Sequence, residues 1–296
     1  MGNPISLYAL IDRYAENHEE GLSKGAKDQL RWAVGAWQRW AGKPLTTDDF
    51  QRETFNGYVD WLKENRAADT VRTRRGNLLT LWRFAFEEGL TDNAPRKIRR
   101  LKKRRTIPTA WTPEEVDHLL EMADQATGRF ATTQIPRDVF WRSLILTAWD
   151  SALRLGDLLA LERTAIVGEK IVVRQSKTGD DVLVMLRPQT LAEIERCCAD
   201  PPRRLIWPLW CRRDQFYVAF GRLVSDAKIR PGTFKWIRRA SITAVERQQR
   251  GAGTQHAGHR TRAVTEANYI DPRQLDEDRP QPPPLKRQAP DEPPAT

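Results

Sequence analysis

Between two stretches of regular apolar patterning lies Ala94-Pro95-Arg96-Lys97-Ile98-Arg99-Arg100-Leu101-Lys102-Lys103-Arg104-Arg105, where eight of the last ten residues are Lys or Arg. No acidic residue balances them, so the segment repels itself and is extended when free. A hydrophobic core cannot run through such a stretch. A chain of 296 residues is long enough for about two domains, each with its own core, and this is where they part. The reading is a domain over 1–94, a basic linker over 95–110, a second domain over 111–271 and a tail over 272–296. In the tail, proline is dense and large apolar residues nearly vanish. It cannot bury enough surface to offset the entropy of ordering, so a disordered or extended arm is expected.

The first domain has helical periodicity and no strand pattern. Apolar residues recur at Ile5, Leu7, Tyr8, Leu10, Ile11 and Tyr14, then at Leu30, Val34, Trp37 and Trp40 up to Gly42-Lys43-Pro44. Thr47-Asp48-Asp49 reads as the start of a third helix carried by Phe50, Phe55, Val59, Trp61 and Leu62. A fourth runs from about Asp69 to Gly89. Four or so helices packed on one another are expected. Within the fourth, Arg72, Arg74 and Arg75 either face a phosphate backbone or form an ordinary solvated face.

The second domain opens on Trp111-Thr112-Pro113-Glu114-Glu115. Thr as N-cap, Pro at the first position and Glu at the third predict a capped helix start. A helix over about 137–151 is apolar on most sides and predicted to be buried. The period then shortens: Ala165-Ile166-Val167, Lys170 to Arg174 and Asp181 to Leu186 read as three antiparallel strands joined by turns at Gly168-Glu169 and Ser176 to Asp180. Helices return over 188–198, 212–226 and from about 233.

The formal net charge is +10, which favours a polyanion, and nucleic acid is the commonest. Cations in the basic segment, laid along a duplex, release condensed counterions. Cys197, Cys198 and Cys211 show no C-x-x-C spacing and fit a reducing compartment. There is no secretory pattern at the start and no apolar run of membrane-spanning length. A soluble cytoplasmic protein with no membrane partner is expected.

The chemistry-bearing residues fall in a definite order. Arg154 sits in Leu-Arg-Leu-Gly-Asp-Leu-Leu-Ala-Leu beside Asp157, a charged pair that is costly in apolar surroundings unless satisfied. Lys177 lies at the tip of a strand turn, where an ordinary surface lysine is the competing reading. Lys235-Trp-Ile-Arg238 places two cations three apart on one helix face. Gly258-His259 follows, and ten residues later comes Tyr269, before Asp271-Pro272 where regular structure is expected to stop. His256-x-x-His259 lacks a nearby third ligand, so no metal is expected.

Taken together, these five elements resemble the tyrosine recombinase (phage integrase) family. The resemblance covers about 111–271, and the helical first domain with its basic linker is similar to that family's core-binding domain. It implies a mainly α fold with a small antiparallel β-sheet: a helical, SAM-like core-binding domain and an α+β catalytic domain. It implies that Arg154 and Arg238 clamp a phosphate, Lys177 protonates the leaving 5′ oxygen, His259 hydrogen-bonds the phosphate, and Tyr269 is the nucleophile. Arg72, Arg74, Arg75, Arg99, Arg100, Lys102, Lys103, Arg104 and Arg105 would contact DNA. The implied partner is double-stranded DNA with paired recombination sites, bound by a homotetramer near the nucleoid, with no cofactor. One position departs from the pattern: Lys235 stands where the family usually has histidine, as in the related type IB topoisomerases. Two other readings therefore stay open, a topoisomerase-like enzyme and a DNA-binding relic without catalysis.

Physical chemistry supports the implied roles. A phosphodiester transition state gathers charge on its non-bridging oxygens, and two guanidiniums can each donate two hydrogen bonds to it. Such electrostatic stabilisation is worth about 3–4 kcal/mol per donor in comparable sites. A phenol with a pKa of about 10 needs a cationic site or a base to become a good nucleophile.

Overall fold

The computed structural model describes residues 3–18, 21–102, 106–176, 178–199 and 203–275. It divides into two compact units, Met1–Arg104 and Arg105–Thr296. Among the described residues, 58% are helical and one small three-stranded sheet is present, the mainly α architecture expected from the periodicity.

In the first unit α1 (Leu7–Glu16), α2 (Lys24–Ala41), α3 (Arg52–Asn65) and α4 (Ala68–Glu87) surround one apolar core. Ser6 and Ser23 cap α1 and α2 by accepting from the amides of Ala9 and Ala26, which satisfies donors that a helix start leaves free. Gly42 closes α2 in the left-handed region at φ +69°, a conformation that costs glycine nothing. The core is aromatic: Trp37, Phe50, Phe55, Tyr58 and Trp82 are fully buried, with Phe50 stacked on Trp82 at 5.5 Å. The start signal at Thr47-Asp48-Asp49 belongs to a single 3-10 turn, and α3 begins only at Arg52. The Asp49 carboxylate accepts from the Thr46 amide at 2.8 Å, so the capping chemistry was real but served a shorter element.

Part of the basic stretch is seated on this unit. Ile98 and Leu101 pack against its core, and Arg99 pairs with Asp60 at 2.7 Å. The two apolar residues and one acidic partner outweigh the self-repulsion there. Arg100 and Lys102 are exposed, and Lys103, Arg104 and Arg105 lie outside the described residues.

The second unit opens with α5 (Pro113–Asp124), whose capping box is complete: the Thr112 hydroxyl accepts from the Glu115 amide and the Glu115 carboxylate from the Thr112 amide. The central helix α6 (Arg137–Ser151) is buried on nearly all sides. Its polar residues Ser143, Thr147 and Ser151 turn their hydroxyls back to carbonyls one turn earlier, at 2.5–2.7 Å. They are thereby satisfied without leaving the core.

A short α7 (Leu155–Leu159) precedes the sheet of β1 (Ile166–Val167), β2 (Lys170–Arg174) and β3 (Asp181–Met185), antiparallel in that order. Ile171, Val173 and Val184 point inward and Lys170, Val172 and Leu183 outward, the alternation of a half-buried sheet. Then follow α8 (Pro188–Cys198), α9 (Arg213–Asp226), α10 (Lys235–Gln248), α11 (Ala252–His256) and α12 (Arg262–Asn268). The last two had no clear periodic signal after Gln248, because five- and seven-residue helices are too short to show one. A 3-10 turn at Pro272–Gln274 extends order past Asp271, where regular structure was expected to stop.

Thr112→Ala removes the hydroxyl half of the α5 capping box. It should lower the stability of the second unit by about 1 kcal/mol, read as a lower thermal midpoint, and Thr112→Ser should keep most of the loss from appearing.

Candidate active site

The end of α6 and the start of α7 deliver the first arginine. After Ser151 the chain turns through Ala152, a non-glycine residue at φ +48°. The Leu153 amide donates to the Ser151 hydroxyl at 3.2 Å. Arg154 follows as the residue capping α7, with its Nη1 donating to Gln175 Oε1 at 2.5 Å. The buried Asp157, one turn on, does not chiefly serve Arg154. One carboxylate oxygen accepts from both the amide and the hydroxyl of Ser176, at 3.0 and 2.6 Å, while Arg154 stands 3.9 Å from the other. The carboxylate thus fixes the root of the β2–β3 turn. Lys177, the next residue, lies outside the described residues.

Helix α10 supplies the second arginine. Arg238 is 3% exposed. Its Nη1 donates to the Ala152 carbonyl and its Nη2 to the Ala257 carbonyl at 3.0 Å. One guanidinium therefore joins the end of α6 to the end of α11. Burial pushes its pKa down to about 10, still far above neutrality, so the charge remains. Lys235, one turn earlier, is exposed, with its ammonium 5.3 Å from the Tyr269 ring centre.

Gly258 makes the turn after α11 at φ +60°, and a Cβ there would lie 2.9 Å from the Val182 side chain and 3.0 Å from Gln175 Nε2. Only glycine lets the hairpin and this turn approach so closely. His259 follows, with Nδ1 2.9 Å from the Thr265 hydroxyl and Nε2 2.9 Å from Arg238 Nη2. A guanidinium can only donate, so Nε2 accepts and the proton sits on Nδ1. Burial, then the charges of Arg238 and Arg154, push the imidazole down to about 4. His256, nearby in sequence, faces another way: its Nε2 lies 2.7 Å from the Ser241 hydroxyl.

Tyr269 closes α12. Its ring lies 4.5 Å from the His259 ring, and the Arg238 guanidinium is 5.0 Å from its centre. Burial pushes the phenol pKa up, but Arg238, Arg154 and Lys235 together outweigh it and the net shift is downward. A lowered phenol pKa raises the fraction of phenolate near neutrality.

Four sequence-predicted residues, Arg154, Lys235, Arg238 and His259, therefore converge on Tyr269. Sequence reasoning missed Gln175 and Thr265, which carry no local signal beyond being polar. It also missed the role of Asp271-Pro272, although Asp followed by Pro is a turn-start signature. Asp271 accepts from the Arg273 amide at 3.2 Å and opens the 3-10 turn. On the first unit, Arg72, Arg74 and Arg75 are half-buried. Arg72 pairs with Asp69 at 3.0 Å, and burial pushes the Arg75 pKa down.

The sequence matches no family model and no curated protein. Solved structures do match. The chain is similar to lambda integrase, in a dimer bound to a COC′ core site, with a TM-score of 0.71 at 18% identity over 94% of this chain and 81% of that one. It is similar to the XerH site-specific recombinase bound to palindromic difH substrate in a post-cleavage complex, with a TM-score of 0.65 at 13% identity over 87% and 79%. It is also similar to the Tn1549 transposon integrase, residues 82–397, in complex with circular intermediate DNA, with a TM-score of 0.63 at 12% identity over 88% and 94%. The fold of this chain is that of the tyrosine recombinases. Among the described residues, no helix is long and apolar enough to cross a membrane.

The neutral state of His259 makes stability pH-dependent. Its folded-state value lies below the ordinary 6.5, so between about pH 4 and 6.5 the folded chain binds fewer protons than the unfolded chain. The associated stability is full above this window and lost as pH falls through it. His259→Gln should flatten the fall in thermal midpoint between pH 6.5 and 4 relative to the parent protein. An identical slope in both would remove His259 as the cause.

Proposed function

We propose that this chain is a site-specific DNA recombinase that cuts and rejoins DNA through a 3′-phosphotyrosyl intermediate. The observation that carries this reading is the convergence of Arg154, Arg238, Lys235 and His259 on Tyr269, whose phenol pKa the two arginines and the lysine lower. Arg238 also joins two helix ends, but gathering Arg154, Lys235 and His259 beside it around one phenol is costly for structure alone. They do fit a phosphodiester.

Tyr269, having lost its proton to water as the neighbouring cations favour, attacks the phosphorus as phenolate, and the 5′ oxygen leaves with its bonding electrons. Arg154 and Arg238 donate to the non-bridging oxygens as charge gathers there. Their geometry is set before DNA arrives, Arg238 by two carbonyls and Arg154 by Gln175, so little reorganisation is needed at the moment of reaction. His259 Nε2, whose lone pair accepts from Arg238 Nη2 in the free chain, lies at the same place. A phosphodiester anion in the pocket would offset the arginine charges that hold this imidazole neutral, making it a stronger proton acceptor. Lys177 is the donor that protonates the departing 5′ oxygen, and Lys235 adds positive charge beside the phenol. The ester keeps the energy of the broken bond, so a second 5′-hydroxyl can reseal it without ATP.

The lambda integrase tetramer in the solved neighbours is bound to a Holliday junction, and this chain is proposed to act likewise as a tetramer on paired sites. Arg72, Arg74, Arg75, Arg99, Arg100, Lys102, Lys103, Arg104 and Arg105 would hold the duplex through its phosphates.

The test is a pool of nicked duplexes with a randomised centre, incubated with the whole chain and separated under denaturing conditions. A covalent protein–DNA adduct is expected, lost in Tyr269→Phe and reduced about 100-fold or more in Arg154→Ala and Arg238→Ala. Tight binding without any adduct would instead identify a DNA-binding relic. Exchange between two copies of the recovered duplex separates recombination from simple relaxation.

A further inference from the structure

Two residues after the nucleophile stands a buried carboxylate that the chemistry above does not use. Asp271 is 1% exposed. Its Oδ2 accepts from the Ala110 amide at 3.1 Å, Arg273 Nη2 at 2.8 Å and Gln274 Nε2 at 3.5 Å. Its Oδ1 accepts from the Arg273 amide at 3.2 Å and Arg273 Nε at 2.8 Å. Burial raises its pKa, but Arg273 and the Ala110 and Arg273 amides bring the net shift below the ordinary value. It therefore stays ionised at neutral pH.

Ionising a carboxylate in such a place is costly unless every lone pair is used. A 3-10 turn at a surface needs no such device, since an exposed cap would serve. What the carboxylate adds is a cross-tie between the segment following Tyr269 and the segment that leads into α5. Two groups on α10 complete the tie. The Asp271 amide donates to the Thr243 hydroxyl at 3.1 Å, and that hydroxyl donates to the Tyr269 carbonyl at 3.4 Å. Arg239, beside Arg238, donates to the carbonyls of Asn268 and Thr109 at 3.1 and 3.0 Å. Between them Ile270 is buried against Ala152, Ile242 and Ala257. The backbone is thus pinned immediately before, at and after the tyrosine.

A phenol oxygen lies at the far end of a rigid side chain, so a small backbone rotation swings it further than it moves the Cα. Misplacing a reacting atom by about 1 Å can cost about 100-fold in rate. We propose that Asp271 is the positioning residue of Tyr269: with Thr243 and Arg239 it locks the backbone around the nucleophile so that the phenol stays between Arg238, Lys235 and His259. This rests on the proposed recombinase chemistry for its consequence, but not for its geometry. The lock is formed within one chain, from residues 109–110, α10 and the 3-10 turn, so a free protomer already holds its nucleophile in place.

Two variants and two readouts test it on the full-length chain. Asp271→Asn keeps the volume and removes the charge; Thr243→Val keeps the shape and removes the hydroxyl, and is the milder change if the first folds poorly. The first readout is adduct formation on the nicked duplex recovered above, at saturating DNA. The rate should fall about tenfold or more in each variant, with the DNA dissociation constant unchanged. A variant that merely unfolds would lose binding and rate together.

The second readout needs no DNA. Protein carrying 3-fluorotyrosine gives a fluorine resonance for Tyr269, assigned by its loss in Tyr269→Phe, and its titration midpoint should rise in both variants as the phenol leaves the cations. Parental rates and midpoints in both variants would overturn the proposal. If the parent forms no adduct while the midpoints still rise, the positioning role stands and the recombinase reading falls.

Discussion

The Arg238 guanidinium is the interaction on which the second unit's site depends. It is a charge almost without solvent contact, and it is held by the carbonyl ends of two different helices, those of Ala152 and Ala257. Each helix end leaves acceptors unpaired, and one planar donor set satisfies both. The same group faces His259 and the Tyr269 ring. Its charge suppresses protonation of one and promotes ionisation of the other. Packing and the electrostatics of the pocket therefore share one residue. Removing that charge would open the joint and detune both neighbours at once.

Around that joint, carboxylates act as carpenters rather than reagents. Asp157 holds the root of the β2–β3 turn through Ser176. Glu246, 3% exposed, accepts from the amides of Gly251 and Gly253 and so shapes the turn from α10 into α11. Asp271 ties the segment after Tyr269 to Ala110. Each is buried and accepts from the turn or segment it holds, which gives specific turns where short helices alone could not fix the chain.

Much of the architecture is legible in the residues. The aromatic periodicity of α2 and α4, the capping box at Thr112 and the alternation of β2 are local patterns, and each formed where it was read. Legibility failed where elements were short or where a signal served two purposes. Thr47-Asp48-Asp49 carried genuine capping chemistry but capped a single turn. Asp271-Pro272 read as an ending because the composition beyond it changes, while the same pair starts an ordered turn. The helices around His259 span only five and seven residues, below the length at which a 3.6-residue period declares itself.

The order of Arg154, Lys235, Arg238, His259 and Tyr269 along the chain, with their spacing and chemical kinds, was set by sequence alone. So were the helical first unit and the strand interlude, because periodicity and caps act over a few neighbours. Only the folded chain decided that Arg154 leans on Gln175 and that His259 is neutral with its lone pair toward Arg238. It alone decided that Asp271 reaches Ala110, 161 positions away. Those outcomes depend on burial and on partners brought together from distant segments, and no pattern of neighbouring residues encodes the dielectric or the distance that a side chain meets after folding.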